Sequence, residues 1–267
     1  VGTFDGKGVL VTGGAGGIGE AICFAFAWEG ARVVCADNSN RPRVMLMFRA
    51  ANVRRPGSYT FHHMDVTKKE DCRDAAVAGF IAPISILVNC AGVQPKESAV
   101  SAHELSEEMW DLILGVNLKG AWLMCKYVIP QMLASPPGVI INIGSVTASY
   151  GAHGIAAYAA SKGGLIALTR ALAIEYAPRI RVLAISPGSV DTALLRETLA
   201  GQSKTSNPNA AVAELGAAYP IGRIVTPEEV VRTVLFAASD AASAITGTEI
   251  MVDGGVTAQG QWAMRPV

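Results

Sequence analysis

The sequence predicts a single α/β domain: a doubly wound sheet of seven parallel strands with helices on both faces. Three observations lead there. Short apolar runs alternate with helix-period segments along the chain, the pattern of a parallel sheet wrapped by helices. A glycine cluster follows the first of those runs and opens a helix. The 267 residues are 51% hydrophobic and 16% charged, enough for a large core and too apolar for a disordered chain. No repeat or linker divides them, so residues 1–267 read as one domain.

Gly8–Thr12 is the first strand. It runs into Gly13-Gly14-Ala15-Gly16-Gly17-Ile18-Gly19, and an apolar-periodic helix over Glu20–Glu29 follows, stopped by Gly30. Ala31–Ala36 is the second strand and ends at Asp37. An acid about 20 residues past such glycines completes a Rossmann-type dinucleotide fingerprint. The glycines let the backbone approach a pyrophosphate, and the helix N-terminus attracts its charge. Asp37 would accept hydrogen bonds from the ribose and repel a 2′-phosphate, which favours NAD over NADP. The alternative is a plain glycine turn with Asp37 as a cap. Arg41 and Arg43 read as a solvated surface, or as contacts to a 2′-phosphate.

A helix is expected over Arg43–Val53, broken by Pro56-Gly57. Ser58–Val66 reads as the third strand, with Asp65 at its end either meeting the adenine or capping the next helix, Lys68–Phe80. Ile84–Cys90 is the fourth strand and leads into Ala91-Gly92, where a glycine suggests close approach by a ligand. A long helix starts at Ser106 and runs from Glu107 to about Ala134, with a kink expected at Pro130. Asn117 lies in its middle among apolar neighbours and needs a partner. The apolar run Val139–Gly144 is a fifth strand. It delivers Ser145 to the strand's C-terminal end, where open α/β sheets keep their sites. A helix covers Ala156–Ile174 and is closed by Pro178; the sixth strand is Ile180–Ser186. Residues 192–223 turn small and polar and read as a substrate flap with two short helices. Thr226-Pro227-Glu228-Glu229 starts a helix that reaches Ser239, and Thr248–Gly255 is the last strand. The apolar tail from Ala258 to Val267 would dock on a neighbouring subunit.

Chemistry concentrates at Tyr158 and Lys162. Four apart on a helix, phenol and ammonium share one face. A nearby cation favours a phenolate, so Tyr158 would exchange a proton with an alcohol or carbonyl oxygen. Taken alone the pair also fits a half-buried tyrosine beside a snorkelling lysine.

Composition excludes other classes. Lys+Arg and Asp+Glu are both 22, so nothing marks a nucleic-acid binder. The five cysteines are scattered without metal-ligand spacing, and no metal is expected. They read as buried thiols in the cytoplasm. No signal peptide and no membrane span are expected.

In this order Gly13-x-x-x-Gly17-Ile18-Gly19, Asp65-Val66, Asn89-x-Ala91-Gly92, Asn117, Ser145, Tyr158-x-x-x-Lys162 and Pro187-Gly188 resemble the short-chain dehydrogenase/reductase (SDR) family, over about Lys7–Gly255. The resemblance implies a tetrad. Ser145 would polarise the substrate oxygen and Tyr158 would be the acid/base. Lys162 would lower the Tyr158 pKa and hold the nicotinamide ribose, and Asn117 would anchor a water linking Lys162 to solvent. It implies cofactor contacts from Gly13, Gly17, Ile18 and Gly19, from Asp37, and from Asp65 with Val66. Asn89 and Gly92 would line the adenosine side, and Pro187, Gly188, Val190 and Thr192 the nicotinamide, together with Tyr158 and Lys162. A homotetramer or homodimer is the family expectation. Cys90 stands where the family often has a second Asn.

The implied activity is NAD-dependent interconversion of a secondary alcohol and a ketone by hydride transfer. An NADPH-dependent 3-oxoacyl-carrier-protein-type reductase is disfavoured by Asp37 and by the zero net charge. A non-catalytic dinucleotide-binding regulatory protein would not need the acid/base pair. A polyol or sugar-alcohol dehydrogenase stays open. Gln94, Ser145, Thr147, His153, Leu194 and Leu195 are the candidate substrate contacts: Gln94 and His153 suit a hydroxylated small molecule, the leucines an apolar one.

Overall fold

The computed structural model describes residues 2–39, 59–77, 83–193, 195–196, 199 and 207–259. Among them, seven strands form one parallel sheet: β1 (Gly8–Thr12), β2 (Arg32–Asp37), β3 (Tyr59–His63), β4 (Ile84–Asn89), β5 (Gly138–Ile143), β6 (Ile180–Pro187) and β7 (Glu249–Val252). Their order is β3-β2-β1-β4-β5-β6-β7. The winding reverses between β1 and β4, which opens a crevice beyond the carboxyl ends of those two strands.

The helices are α1 (Gly17–Trp28), α2 (Lys69–Val77), α3 (Glu107–Leu114), α4 (Ala121–Ala134), α5 (Ala156–Tyr176), α6 (Pro208–Gly216) and α7 (Pro227–Ala238). Strand side chains alternate between faces, and two cores result. Val9, Val11 and Ile141 pack with Ile22 and Phe26 of α1 and with Val230 and Val234 of α7. Leu10, Leu87 and Ile140 pack on the other face with Met124 and Met132 of α4 and Leu172 of α5. β1 and β5 are buried along their whole length, which is why they read as unbroken apolar runs. β3, at the sheet edge, is partly exposed.

Four expectations are corrected. α1 begins at Gly17, inside the glycine cluster, so the loop itself forms the first helical turn. β3 stops at His63. Met64 N–H still bonds to Asp37 O at 2.9 Å, but Asp65 then turns the chain by accepting from Thr67 N–H at 2.9 Å. The long helix is not one regular segment: a π-helical turn, Gly115–Gly120, separates α3 from α4. This deformation lies at Asn117 and not at Pro130, which sits inside α4. The last strand ends at Val252, three residues short of Gly255.

The helix expected over 43–53, Pro56-Gly57 and the tail beyond Gln259 lie outside the described residues. So do residues 194, 197–198 and 200–206 of the flap, whose remainder, α6 included, is described. The stretch Glu107–Ala134 has the length and apolarity of a membrane span, yet half of it is buried within the protein, as a core helix would be.

Candidate active site

Thr12 brings the two crevice loops together. Its Oγ1 accepts from the N–H groups of both Cys90 and Ala91 at 3.1 Å, tying the end of β1 to the end of β4. Two glycines of the cluster have a steric reason. Gly13 has φ 63°, and a Cβ there would lie 2.7 Å from Ala91 Cα. A Cβ on Gly19 would collide with Gly13 O. The N-cap Gly16 has no side chain to cap α1, so the first amides of the helix face the crevice. This cradle of backbone amides fits a pyrophosphate. Thr192 closes it from the far side, its Cγ2 only 3.0 Å from where a Gly17 Cβ would be.

Asp37 sits at the end of β2. One carboxylate oxygen accepts Ala15 N–H at 3.0 Å and the other accepts Ser39 N–H at 2.8 Å. Each oxygen keeps a lone pair for a ribose hydroxyl. Asp65 Oδ1 accepts the Thr67 hydroxyl at 2.7 Å, so its turn role is the one observed.

The tetrad converges from three elements. Lys162 is buried and its Nζ donates to Ile143 O at 2.8 Å, at the end of β5. The same Nζ stands 5.7 Å from the centre of the Tyr158 ring. It also lies 3.5 Å from where a Gly92 Cβ would be, as does Asn117 Oδ1. Ser145 Oγ accepts from Thr147 N–H at 3.2 Å and from the Thr147 hydroxyl at 2.9 Å. Its own proton is thereby left to donate into the site. Asn117 is buried in the π-turn: Oδ1 accepts Val93 N–H at 2.8 Å and Nδ2 donates to Val93 O at 3.1 Å. Its side chain thus clamps the loop after β4.

A family model described as enoyl-(acyl carrier protein) reductase matches residues 13–257. The chain is a short-chain dehydrogenase/reductase. It is 36% identical over 255 residues to the 3-oxoacyl-acyl-carrier-protein reductase FabG of Thermotoga maritima, covering 94% of this chain and 98% of that one. It is 37% identical over 256 residues to the D-threitol dehydrogenase of Mycolicibacterium smegmatis, covering 95% and 94%. Among solved structures, the ligand-free aldohexose dehydrogenase of Thermoplasma acidophilum superposes with a TM-score of 0.86 at 33% identity, covering 96% of each chain.

Within this SDR, several expected contacts turn inward. Asn89 is buried and its Nδ2 donates to Asn142 Oδ1 at 2.8 Å, so the side chain joins the sheet interior and does not line the adenosine side. Val66 and Val190 are core side chains, so any nucleotide contact from them falls to their backbones. Thr147 is spent on Ser145. Gln94 and His153 are exposed; His153 borders an open cleft of about 630 Å³ with Glu104 and Ser101. Leu195 N–H bonds to Thr192 Oγ1 at 3.3 Å, and Leu194 lies outside the described residues. The Cys90 residue is only half-buried, but its thiol is enclosed. Burial pushes that thiol up to about 12 against the pull of Lys162, so it stays neutral. Among the described residues no cluster suited to a metal occurs.

Sequence reasoning missed one wall of the site. Tyr219 packs its ring on the Gly188 backbone, and its hydroxyl accepts Ser189 N–H at 2.7 Å. Tyr150 is half-exposed. Burial raises the Tyr150 phenol, and the charges of Tyr219, Asp253 and Tyr158 add to the shift. Burial works to raise the Asp253 carboxyl too, but hydrogen bonds from Thr257 and Gly255 outweigh it and hold it low. Tyr150 follows Ser145 in the same loop, and that proximity was the available signal.

Proposed function

We propose that this SDR interconverts a secondary alcohol and a ketone with NAD as cofactor, and that polyols are its substrate class. One observation supports this above others: Lys162, paired with Tyr158, reaches the end of β5 two residues before Ser145, beside a glycine cradle closed by an acid at the end of β2. The glycine loop and the α1 N-terminus would hold the pyrophosphate, Asp37 the adenosine ribose, and Lys162 the nicotinamide ribose. The dinucleotide would supply the hydride acceptor or donor. Ser145 Oγ–H donates to the substrate oxygen, and Tyr158 Oη exchanges the proton with that oxygen. The pairing of one fixed donor with one proton carrier on a single oxygen is what general acid/base catalysis requires.

D-Threitol is the named substrate of one relative, and another, from Listeria innocua, is named an NAD-dependent glycerol dehydrogenase. Those names support the polyol reading. The FabG relative favours a second reading, reduction of a carrier-bound 3-oxoacyl group with NADPH. Side-by-side fluorescence titration with NADH and NADPH, followed by oxidation assays on a polyol panel, separates the two. NADH preference with polyol turnover supports the first; NADPH preference without polyol turnover moves the second ahead. Exposed Trp110, Leu112, Trp122 and Ile174 on the two long helical stretches support self-association into a dimer or tetramer, to be tested by sedimentation.

A further inference from the structure

The helix bearing Tyr158 and Lys162 is held at its first turn by a polar contact that the tetrad does not include. Ser161 is fully buried between those two residues. Its hydroxyl accepts from Asn117 Nδ2 at 3.1 Å and donates to the backbone carbonyl of Tyr158 at 2.7 Å. Asn117 is in turn clamped to the Val93 backbone by two further bonds. A continuous chain of hydrogen bonds thus runs from the loop after β4, through the Asn117 amide and the Ser161 hydroxyl, to the Tyr158 backbone.

A second contact makes the junction rigid. A Cβ on Gly164 would lie 2.8 Å from Leu118 Cδ2, so the π-turn also meets α5 one helical turn beyond Ser161. The polar and the steric contact together set the distance between α5 and the Asn117 turn. Farther along α5, Thr169 makes another buried tie: its hydroxyl accepts from Asn142 Nδ2 at 2.8 Å. That tie joins α5 to the sheet and leads away from Tyr158, through Asn142 to Asn89.

We propose that Ser161 is a positioning residue: its hydroxyl fixes the first turn of α5, and with it Tyr158 and Lys162, to the Asn117 amide and the Val93 backbone. The proposal rests on the reading of Tyr158 as the proton carrier. In Ser161→Ala one Asn117 Nδ2 proton keeps Val93 O while the other loses its acceptor. A single unpaired N–H is a small part of what holds a 267-residue chain together, so the variant should fold.

The test compares Ser161→Ala and Thr169→Val in the full chain with NAD+ present. Hydrogen exchange and steady-state oxidation of the best polyol are read together. Ser161→Ala should exchange about five- to tenfold faster at residues 156–162, the equilibrium worth of one net hydrogen bond. Its kcat should fall by a similar factor while KM stays within about twofold, since the lost interaction serves the transition state. Thr169→Val should melt lower yet leave kcat and exchange at 156–162 unchanged. Wild-type exchange at 156–162 in Ser161→Ala, or an equal loss of kcat in both variants, overturns the proposal. If the wild type oxidises no alcohol, the reading of the function fails, and the exchange measurement still decides on Ser161.

Discussion

Asp37 should set the choice between NADH and NADPH, and the size of that choice follows from its position. Its carboxylate is held by Ala15 N–H at 3.0 Å and Ser39 N–H at 2.8 Å, so it cannot swing away from a nucleotide lying on the glycine loop. A 2′-phosphate near that ribose site would sit about 5 Å from the carboxylate. Coulomb repulsion at that separation is about 1 kcal/mol in a water-like medium and about 3 kcal/mol at an effective dielectric of 20. The expected preference for NADH is thus roughly 5- to 150-fold. Asp37→Asn removes the charge and leaves one oxygen for two backbone donors. It should weaken NADH by about tenfold, the loss of a hydrogen bond to a charged acceptor, while NADPH weakens less or gains. The assay is fluorescence titration of both nucleotides against both proteins at fixed ionic strength. Equal or tighter NADPH binding by the wild type would refute the reasoning, as would an unchanged NADH/NADPH ratio in Asp37→Asn.

Three other perturbations have readable outcomes. Gly19→Ala puts a methyl onto Gly13 O, so the loop must shift; NADH titration should show at least about tenfold weaker binding while circular dichroism shows a folded chain. Arg181 donates to the carbonyls of Ala237, Ser239 and Ile245 at the end of α7 and beyond. Arg181→Met orphans these acceptors, costs about 3 kcal/mol and should lower Tm by roughly 6 to 12 °C in a thermal melt. Arg223, paired with Glu229 at 2.8 Å, holds the Glu229 carboxyl down at about 2, helped by Thr226 N–H. The folded pKa lies below the unfolded one, so this stability is present in full above about pH 4.3 and is lost as pH falls towards 2. Because Arg223 is half-exposed, the contribution is discounted to about 1 kcal/mol. Urea melts should find Glu229→Gln less stable by that amount at pH 7 and level with the wild type near pH 2.

Much of the site was legible because its signals are short-range. Gly13 to Gly19 must be small where they are, whatever packs elsewhere, and Tyr158 and Lys162 share a helix face by spacing alone. The SDR order of motifs then placed Ser145 and Asn117 beside them. Side-chain direction was less legible. Asn89 and Val66 adjoin the crevice in sequence, yet side chains alternate across a strand or fold back in a turn, and these two are buried in the protein. The kink was expected at Pro130 because proline is the local breaker, but the distortion lies at Asn117, where contacts with Val93 and Ser161 stabilise a wider turn.

The sequence by itself determined the alternation of strand and helix, the parallel sheet, the dinucleotide loop with its acid, and the acid/base pair. These depend on periodicity and on residues within a helical turn or a single loop. The tertiary structure alone decided that Tyr219 lies on Gly188, that Thr192 covers Gly17, and that Ser161 joins the turn of Tyr158 to Asn117. Those pairs are distant along the chain or act through hydrogen bonds whose direction no local pattern encodes. They exist because parallel strands bring the ends of separate βα units to one edge of the sheet.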